Sequence, residues 1–150
     1  MIPSLVNNRG GVQEDNMSDF NKKIIKEFRS NDGKVGGFFE GMTLLLVHTR
    51  GAKTGQLRIN PVATIQVGED QIIAASKAGA DTHPDWYHNL IANPDVIVEL
   101  GTEKFTAKAE DTLEPKRTEL YTKMKEAYPG FAEYEEKTSR VIPVIKLRKL

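Results

Sequence analysis

A short basic segment with two glycines follows the longest apolar run of the chain. Residues 42–47 are apolar except for Thr43, and Arg50, Lys53 and Arg58 come soon after them. Cationic side chains that share a loop with free backbone N–H groups provide what a bound phosphate or carboxylate requires. The segment therefore predicts an anion-binding site.

The common nucleotide-binding loops do not fit this segment. Lys53 and Thr54 precede Gly55 rather than follow it, so the residue order of a Walker loop is absent. No G-x-G-x-x-G turn opens a helix here either. From the loop alone, an ordinary hairpin turn with solvated cations is the favoured alternative, and the rest of the chain has to decide between the two.

The composition excludes several kinds of partner and cofactor. The 21 basic and 21 acidic residues cancel, so we expect no nucleic-acid partner, and any cationic site has to be local. The chain has no cysteine, which excludes disulfides and thiolate metal ligands and is typical of a reducing cytoplasm. The three histidines lack the H-E-x-x-H spacing, so we expect no bound metal.

The length of 150 residues suits a single domain. We expect a flexible leader over residues 1–16, with Met17 as an alternative start, and one domain over residues 17–150. The apolar run over residues 42–47 is far shorter than the ~20 residues of a membrane span. We therefore expect a soluble, cytoplasmic protein with no transmembrane segment. Peripheral contact with a membrane and the oligomeric state are left open.

Hydrophobic periodicity and turn residues predict a β-rich middle and tail. Short turns at residues 68–70 and 101–103 connect neighbouring strands, which makes those strands antiparallel. Several such strands with few helices indicate a barrel or a strongly curled sheet. The predicted strands cover residues 43–49, 58–67, 71–76, 96–100, 104–110 and 141–147.

Helices are predicted before, between and after these strands. An amphipathic helix covers residues 19–28 with Ser18 or Asp19 as its cap, and a second covers residues 84–91 with Asp81 or Thr82 as its cap. A longer helix follows Pro115 and stops near residues 129–130, and a short one after it carries the aromatic residues Phe131 and Tyr134.

Three further segments place polar, cationic or aromatic side chains where a ligand site would use them. They are residues 74–80 after a strand, residues 84–90 on a helix, and the aromatic set Tyr128, Phe131 and Tyr134. A strand that ends in Ser76 and Lys77 offers a hydroxyl, a cation and exposed amides, which suits a planar polar heterocycle. Taken singly each residue has a structural alternative, since Trp86 is more often core, Ser76 a turn residue and Lys77 solvated.

Four ordered motifs together resemble the deazaflavin-dependent nitroreductase and quinone reductase family. They are T-x-G-x-K-T-G-x-x-R-x-N-P, A-S-K-x-G, P-x-W-Y-x-N-L-x-A-N-P and T-S-R-x-I-P-V, within a likeness that covers nearly the whole chain from about Gly36. The resemblance implies an α+β split β-barrel of the flavin-mononucleotide-binding type, with antiparallel strands and peripheral helices. It also implies the coenzyme 8-hydroxy-5-deazaflavin, coenzyme F-420, whose tail carries a phosphate and a string of glutamates.

The resemblance implies hydride transfer from the reduced coenzyme to a small planar acceptor, with a quinone favoured and a nitroaromatic second. The expected coenzyme contacts fall into groups with different roles, and Gly55 is a further contact. Arg50, Lys53, Thr54 and Arg58 would clamp the anionic tail, and Asn60, Pro61 and Val62 would lie beside the ring. Ser76, Lys77, Gly79 and Ala80 would line the other side, and Trp86, Tyr87 and Asn89 would pack the wall.

The expected catalytic residues are Ser76, Tyr128 and Tyr134. Ser76 would polarise a ring or acceptor oxygen, and the two tyrosines would shape the acceptor pocket and supply a proton; core packing is the equal alternative for both. Two departures from the family pattern matter. The usual glycine-arginine-lysine turn is altered around Lys53, and the middle aromatic of the substrate pocket is Phe131, which stacks but donates no proton.

Two rival interpretations remain at this point. The same barrel could bind flavin mononucleotide, because a phosphate clamp alone does not distinguish the two tails. The protein could also be a carrier that binds the coenzyme or another amphiphile without turnover.

Overall fold

The computed structural model describes residues 19–150 of the chain. The predicted leader, the alternative start at Met17 and the predicted cap at Ser18 lie outside the described residues. The helices are α1 (Asp19–Ser30), α2 (Asp85–Ala92), α3 (Lys116–Ala127) and α4 (Gly130–Glu136). The strands are β1 (Leu44–Arg50), β2 (Leu57–Ala63), β3 (Ile65–Val67), β4 (Asp70–Ala74), β5 (Asp95–Leu100), β6 (Glu103–Asp111) and β7 (Val144–Lys149).

Most predicted elements are present with bounds that move by a few residues. The predicted strand over residues 58–67 is two strands, because the chain turns a corner at Thr64 between β2 and β3. The predicted cap of α2 is wrong. Pro84 is the N-cap, with an extended backbone and no capping hydrogen bond, so Asp81 and Thr82 lie ahead of the helix. Proline fits at a helix start because its missing N–H is not needed there.

The strands form one antiparallel sheet in the order β2-β1-β5-β6-β7-β4-β3. Its two edge strands, β2 and β3, are consecutive in the chain and meet at Thr64. The sheet must therefore curl until its edges come together, which confirms the predicted curled antiparallel sheet with helices around it. Pro61 lies within β2, where an edge strand tolerates the missing backbone donor.

Hydrogen bonds hold the corner at Thr64, which is fully buried. Its N–H donates to the Thr43 carbonyl over 2.9 Å. Its hydroxyl lies 3.0 Å from both the Ile72 carbonyl and the Gln71 side-chain oxygen. The Tyr128 hydroxyl donates to the Thr64 carbonyl over 2.8 Å and accepts the Thr43 N–H over 3.1 Å. The corner thus joins both edges of the sheet to the end of α3.

The core follows from strand alternation. The first four residues of β1 are buried, and they divide between two clusters because successive side chains point to opposite faces. Leu44 and Leu46 pack with Ile24, Ile25 and Phe28 of α1. The other two belong to the barrel interior with members of the remaining central strands: Leu45, Val47, Ile73, Val96, Val98, Ala107, Ile145 and Leu147. A third cluster packs α3 and α4 against β4 and β7.

The substitution Tyr128→Phe tests the corner. It leaves the Thr43 N–H and the Thr64 carbonyl without their shared partner, so we expect the free energy of unfolding to fall by about 1 kcal/mol. Urea denaturation measures this. Tyr134→Phe is the matched control, because within residues 19–150 the Tyr134 hydroxyl makes no hydrogen bond. Equal losses for the two variants would show that the corner bonds contribute nothing.

Candidate functional site

Two hollows lie along β2 and share the side chain of Trp86. The first, the cationic cleft, has a volume of about 570 Å³ and includes Lys53, Arg58 and Asn60 in its lining. The second, the aromatic pocket, has a volume of about 230 Å³ and begins where β2 continues through residues 61–63. One edge strand therefore runs from a polar, charged site into an apolar one.

The loop between β1 and β2 forms one wall of the cleft. It closes on itself through the Gly51 N–H to the Gln56 carbonyl at 2.7 Å and the Gly55 N–H to the Gly51 carbonyl at 2.9 Å. Gly55 has a φ of 73°, a conformation that glycine adopts without strain. The Asn89 side-chain oxygen accepts the Ala52 N–H over 2.9 Å. A second asparagine one turn later in the chain, Asn93, donates to the Arg50 carbonyl over 3.3 Å.

The predicted tail-binding residues divide into two groups. Lys53, Thr54 and Arg58 line the cleft, as do the predicted residues Asn60, Trp86 and Asn89. Arg50 and Gly55 do not line it. The Arg50 guanidinium instead donates to the Gly55 carbonyl over 2.9 Å and so stabilises the loop.

The two cations of the cleft differ in their freedom. Lys53 is exposed and forms no ion pair in the part of the chain that the structure describes. Arg58 is half-buried, and its guanidinium donates to the Gln56 side chain over 2.7 Å. Burial lowers the pKa of Arg58, and the nearby charge of Asp85 partly opposes that shift. Lys53 is thus free to follow a ligand, whereas Arg58 is held in place.

Asp85 is a lining residue of the cleft that sequence reasoning missed. Its carboxylate places a negative charge beside Arg58 and limits how far an anionic ligand can extend toward α2. The signal was in the sequence, because Asp85 stands between Pro84 and Trp86 in a motif already singled out. Asn21 and His88 also line the cleft and were not predicted.

The aromatic pocket brings together predicted residues from four regions. Pro61 and Val62 come from β2, Ser76 and Lys77 from the turn after β4, Trp86 from α2, and Phe131 and Tyr134 from α4. The other contributors were not predicted: Phe38, Phe39, Met42, Ala63, Ala74 and Ala78. Phe38 and Phe39 pack edge to face with ring centroids 5.0 Å apart. Phe38 is 70% exposed, so this pair forms the outer rim of the pocket.

Among the described residues, the hydroxyl of Ser76 has no hydrogen-bond partner. Ser76 is only 8% exposed, yet no hydrogen bond from its hydroxyl is found within residues 19–150. Buried polar groups are nearly always hydrogen-bonded, and an exception at a pocket wall requires an explanation. A ligand oxygen or nitrogen in the pocket would satisfy this hydroxyl.

The aromatic set of α3 and α4 is split between packing and the pocket. The Phe131 ring is 6% exposed and lies 5.4 Å from the Tyr134 ring and 6.2 Å from the Tyr128 ring, between centroids. Tyr128 does not line the pocket, and the corner at Thr64 uses its hydroxyl. Its placement favours the packing alternative. Tyr134 lines the pocket with an unpartnered hydroxyl, as judged over the described chain.

Gly79, Ala80 and Tyr87 line neither hollow. A Cβ on Gly79 would come within 2.9 Å of the Lys137 side chain, so this glycine allows α4 to approach the turn. The Tyr87 hydroxyl donates to Asp111 over 2.6 Å and anchors α2 to the end of β6. Burial, followed by that hydrogen bond, raises the pKa of Tyr87 to about 12.

The described residues contain neither a metal-binding cluster nor a membrane-spanning helix. Residues 19–150 hold no group of three or more histidine and carboxylate side chains arranged to bind a metal ion. None of the described helices has the length and apolar character needed to span a membrane.

The sequence of the chain is similar to a known family of proteins. The family model described as F420H(2)-dependent quinone reductase matches residues 21–149. A quinone reductase of that description from Mycobacterium tuberculosis is 37% identical over 126 residues, which cover 81% of this chain and 85% of the relative.

Solved structures agree on the fold. A reductase dependent on reduced coenzyme F-420 (FDR-A) superposes with a TM-score of 0.65 at 36% identity, covering 70% of this chain and 93% of that chain. The heme storage protein HutZ of Vibrio cholerae superposes with a TM-score of 0.53 at 17% identity, covering 84% of this chain and 87% of that chain. At that identity the likeness to HutZ concerns the fold alone.

Proposed function

The chain belongs to the F420H(2)-dependent quinone reductase family, and from that premise we propose how its two hollows divide the coenzyme between them. The chain is an oxidoreductase that transfers a hydride from reduced coenzyme F-420 to a quinone. We assign the anionic tail to the cationic cleft and the ring to the aromatic pocket. This assignment rests on one observation: the two hollows are adjacent along β2 and share the side chain of Trp86.

The cleft has the chemistry that a phosphate and glutamate tail requires. Lys53 and Arg58 supply positive charge, and Thr54 adds a hydroxyl donor. Asn89 holds the loop through the Ala52 N–H, so the cations are presented on a fixed backbone. The negative charge of Asp85 repels the anionic tail and so limits how far the tail extends toward α2. These residues bind and orient the ligand and take no part in the chemical step.

The aromatic pocket has the chemistry that a flat ring with polar edges requires. Pro61, Val62 and Trp86 give apolar contact, and Ser76 offers a hydroxyl that no described residue uses. The coenzyme supplies the hydride when it is bound. The protein holds the reacting groups together and excludes water, and Ser76 donates a hydrogen bond to a carbonyl oxygen whose negative charge grows during transfer.

The acceptor side favours quinones over nitroaromatics. Reduction of a quinone leaves an oxyanion that solvent protonates readily, whereas a reduced nitro group needs a nearby proton donor. Tyr134 offers a hydroxyl at the pocket that no residue of the described chain binds, and the adjacent Phe131 offers none. We therefore propose that nitroaromatic reduction is the weaker activity, with Tyr134 as the proton donor that remains.

The two rival interpretations lose their support here. The matched family is described by its dependence on reduced coenzyme F-420 and by quinone reduction, which speaks against flavin mononucleotide and against a carrier without turnover. Steady-state oxidation of the reduced coenzyme with menadione as acceptor is the direct test. If no soluble quinone supports turnover, the result would instead favour a carrier that binds the coenzyme without turnover.

Coenzyme affinity should depend on tail charge. We expect coenzyme F-420 to bind more tightly than flavin mononucleotide, because the longer polyanionic tail meets both Lys53 and Arg58. Exposed charges are screened by salt, so the affinity should fall as ionic strength rises. Fluorescence titration of each cofactor at low and high salt measures both effects, and equal affinities would contradict the tail assignment.

Removal of the free lysine should affect binding and spare the chemical step. We expect Lys53→Ala to raise the KM for the coenzyme about tenfold, equivalent to about 1.4 kcal/mol, with kcat nearly unchanged. Lys123→Ala removes an exposed lysine on α3, away from both hollows, and serves as the matched control. A collapse of kcat at constant KM would place Lys53 in the chemistry instead.

The acceptor preference should respond to one added hydroxyl. We expect the wild type to reduce menadione well and bicyclic nitroimidazoles poorly, and Phe131→Tyr to increase nitroimidazole turnover because it adds a donor beside Tyr134. Phe38→Tyr adds the same hydroxyl at the exposed rim and is the control. Strong nitroimidazole turnover by the wild type would mean that the acceptor site is misassigned.

A further inference from the structure

The Arg140 side chain bridges both ends of the turn that carries Ser76. Its Nε donates to the Ala80 carbonyl over 2.8 Å, and one terminal nitrogen donates to the Ser76 carbonyl over 2.8 Å. The other terminal nitrogen lies 2.8 Å from Nδ1 of His83. Arginine is always charged and has no acceptor, so Nδ1 accepts this bond. All these contacts go to residues 76–83, although Arg140 follows α4 in the chain.

The turn that Arg140 holds is conformationally unfavourable. Lys77, Ala78 and Gly79 have φ angles of 47°, 53° and 85°. For the two non-glycine residues, this left-handed region is sterically unfavourable, because Cβ comes too close to the following carbonyl oxygen. Such a backbone persists only where its surroundings determine it. The turn has its own bond from the Gly79 N–H to the Ser76 carbonyl at 2.9 Å, and Arg140 adds a second donor to the same oxygen.

The geometry matters because this turn forms part of the aromatic pocket. Ser76, Lys77 and Ala78 line the pocket, whereas Arg140 lines neither hollow. Within residues 19–150, no carboxylate forms an ion pair with Arg140. Its guanidinium is therefore committed to the backbone of this turn and to His83, and the planar fork of donors suits two carbonyls that lysine could not bridge.

We propose that Arg140 is a positioning residue for hydride transfer: it holds the left-handed turn so that the Ser76 hydroxyl stays at the aromatic pocket. This inference rests on the proposed function of that pocket. Arg140 touches neither hollow and acts through Ser76, whose backbone carbonyl it binds directly.

The test is a double-mutant cycle with Arg140→Met and Ser76→Ala, measured as kcat with menadione. Misplacement of a contributing group by about 1 Å can lower a rate by about a hundredfold, so we expect Arg140→Met to lower kcat by about tenfold to a hundredfold. The same substitution in the Ser76→Ala background should lower kcat by less than about twofold, because residues that act as a unit are not additive. Full additivity would overturn the proposal.

A second measurement needs no coenzyme and no activity. We expect the amides of Gly79 and Ala80 to exchange hydrogen at least about tenfold faster in Arg140→Met, because the turn loses its external support. Arg140→Lys should give the same acceleration, since an ammonium cannot reproduce the fork. Arg148→Met, an exposed arginine on β7, is the control and should leave exchange unchanged. Unchanged exchange at the turn in Arg140→Met would overturn the proposal.

The two proposals fail in different ways. If the wild type does not reduce menadione, the proposed function fails regardless of Arg140. If the wild type reduces menadione but Arg140→Met keeps kcat within about twofold, only the positioning role fails.

Discussion

The two edges of the sheet belong to one stretch of chain, and this constraint determines the rest of the fold. Because β2 passes directly into β3 at Thr64, the seven strands have to curl until the first and last strands meet. The buried Thr64 hydroxyl and the Tyr128 hydroxyl satisfy the backbone groups that this sharp corner would otherwise leave unpaired. In the curled sheet, the cationic cleft lies at one end of β2 and the aromatic pocket at the other.

Helix α2 then fixes the positions of the two hollows relative to each other. Two asparagines one helical turn apart, Asn89 and Asn93, bind the loop between β1 and β2, while Trp86 on the same helix forms part of both hollows. Tyr87 ties the helix to β6 through Asp111. One short helix therefore sets the position of the charged loop relative to the apolar pocket, which a ligand with an anionic tail and a flat ring requires.

The sequence predicted the elements and residues that depend on local pattern. It did not predict those whose position depends on tertiary contacts. Alternating apolar residues and turn residues located the strands, and the motifs together with the aromatic set located half of the lining residues. The break at Thr64 was missed because β2 and β3 together read as one alternating run. Phe38 and Phe39 were missed because two aromatics among glycines carry no periodicity, and only the fold brings them to the pocket rim. The side of a loop that faces a cleft also cannot be read from residue type, which is why Arg50 was placed with Lys53.

Hydrogen-bond satisfaction separates the residues that build this site from those available to act in it. Arg50, Tyr128 and Arg140 carry the chemistry of binding and proton transfer by type, yet each donates at least one side-chain hydrogen bond to the protein's own backbone. Lys53 and the hydroxyls of Ser76 and Tyr134 have no such partner within residues 19–150. A buried polar group without a partner costs stability unless a ligand or water satisfies it, whereas an exposed lysine is satisfied by water. The engaged set therefore supports the structure around the hollows, and the free set is where we propose that the coenzyme and the quinone contact the protein.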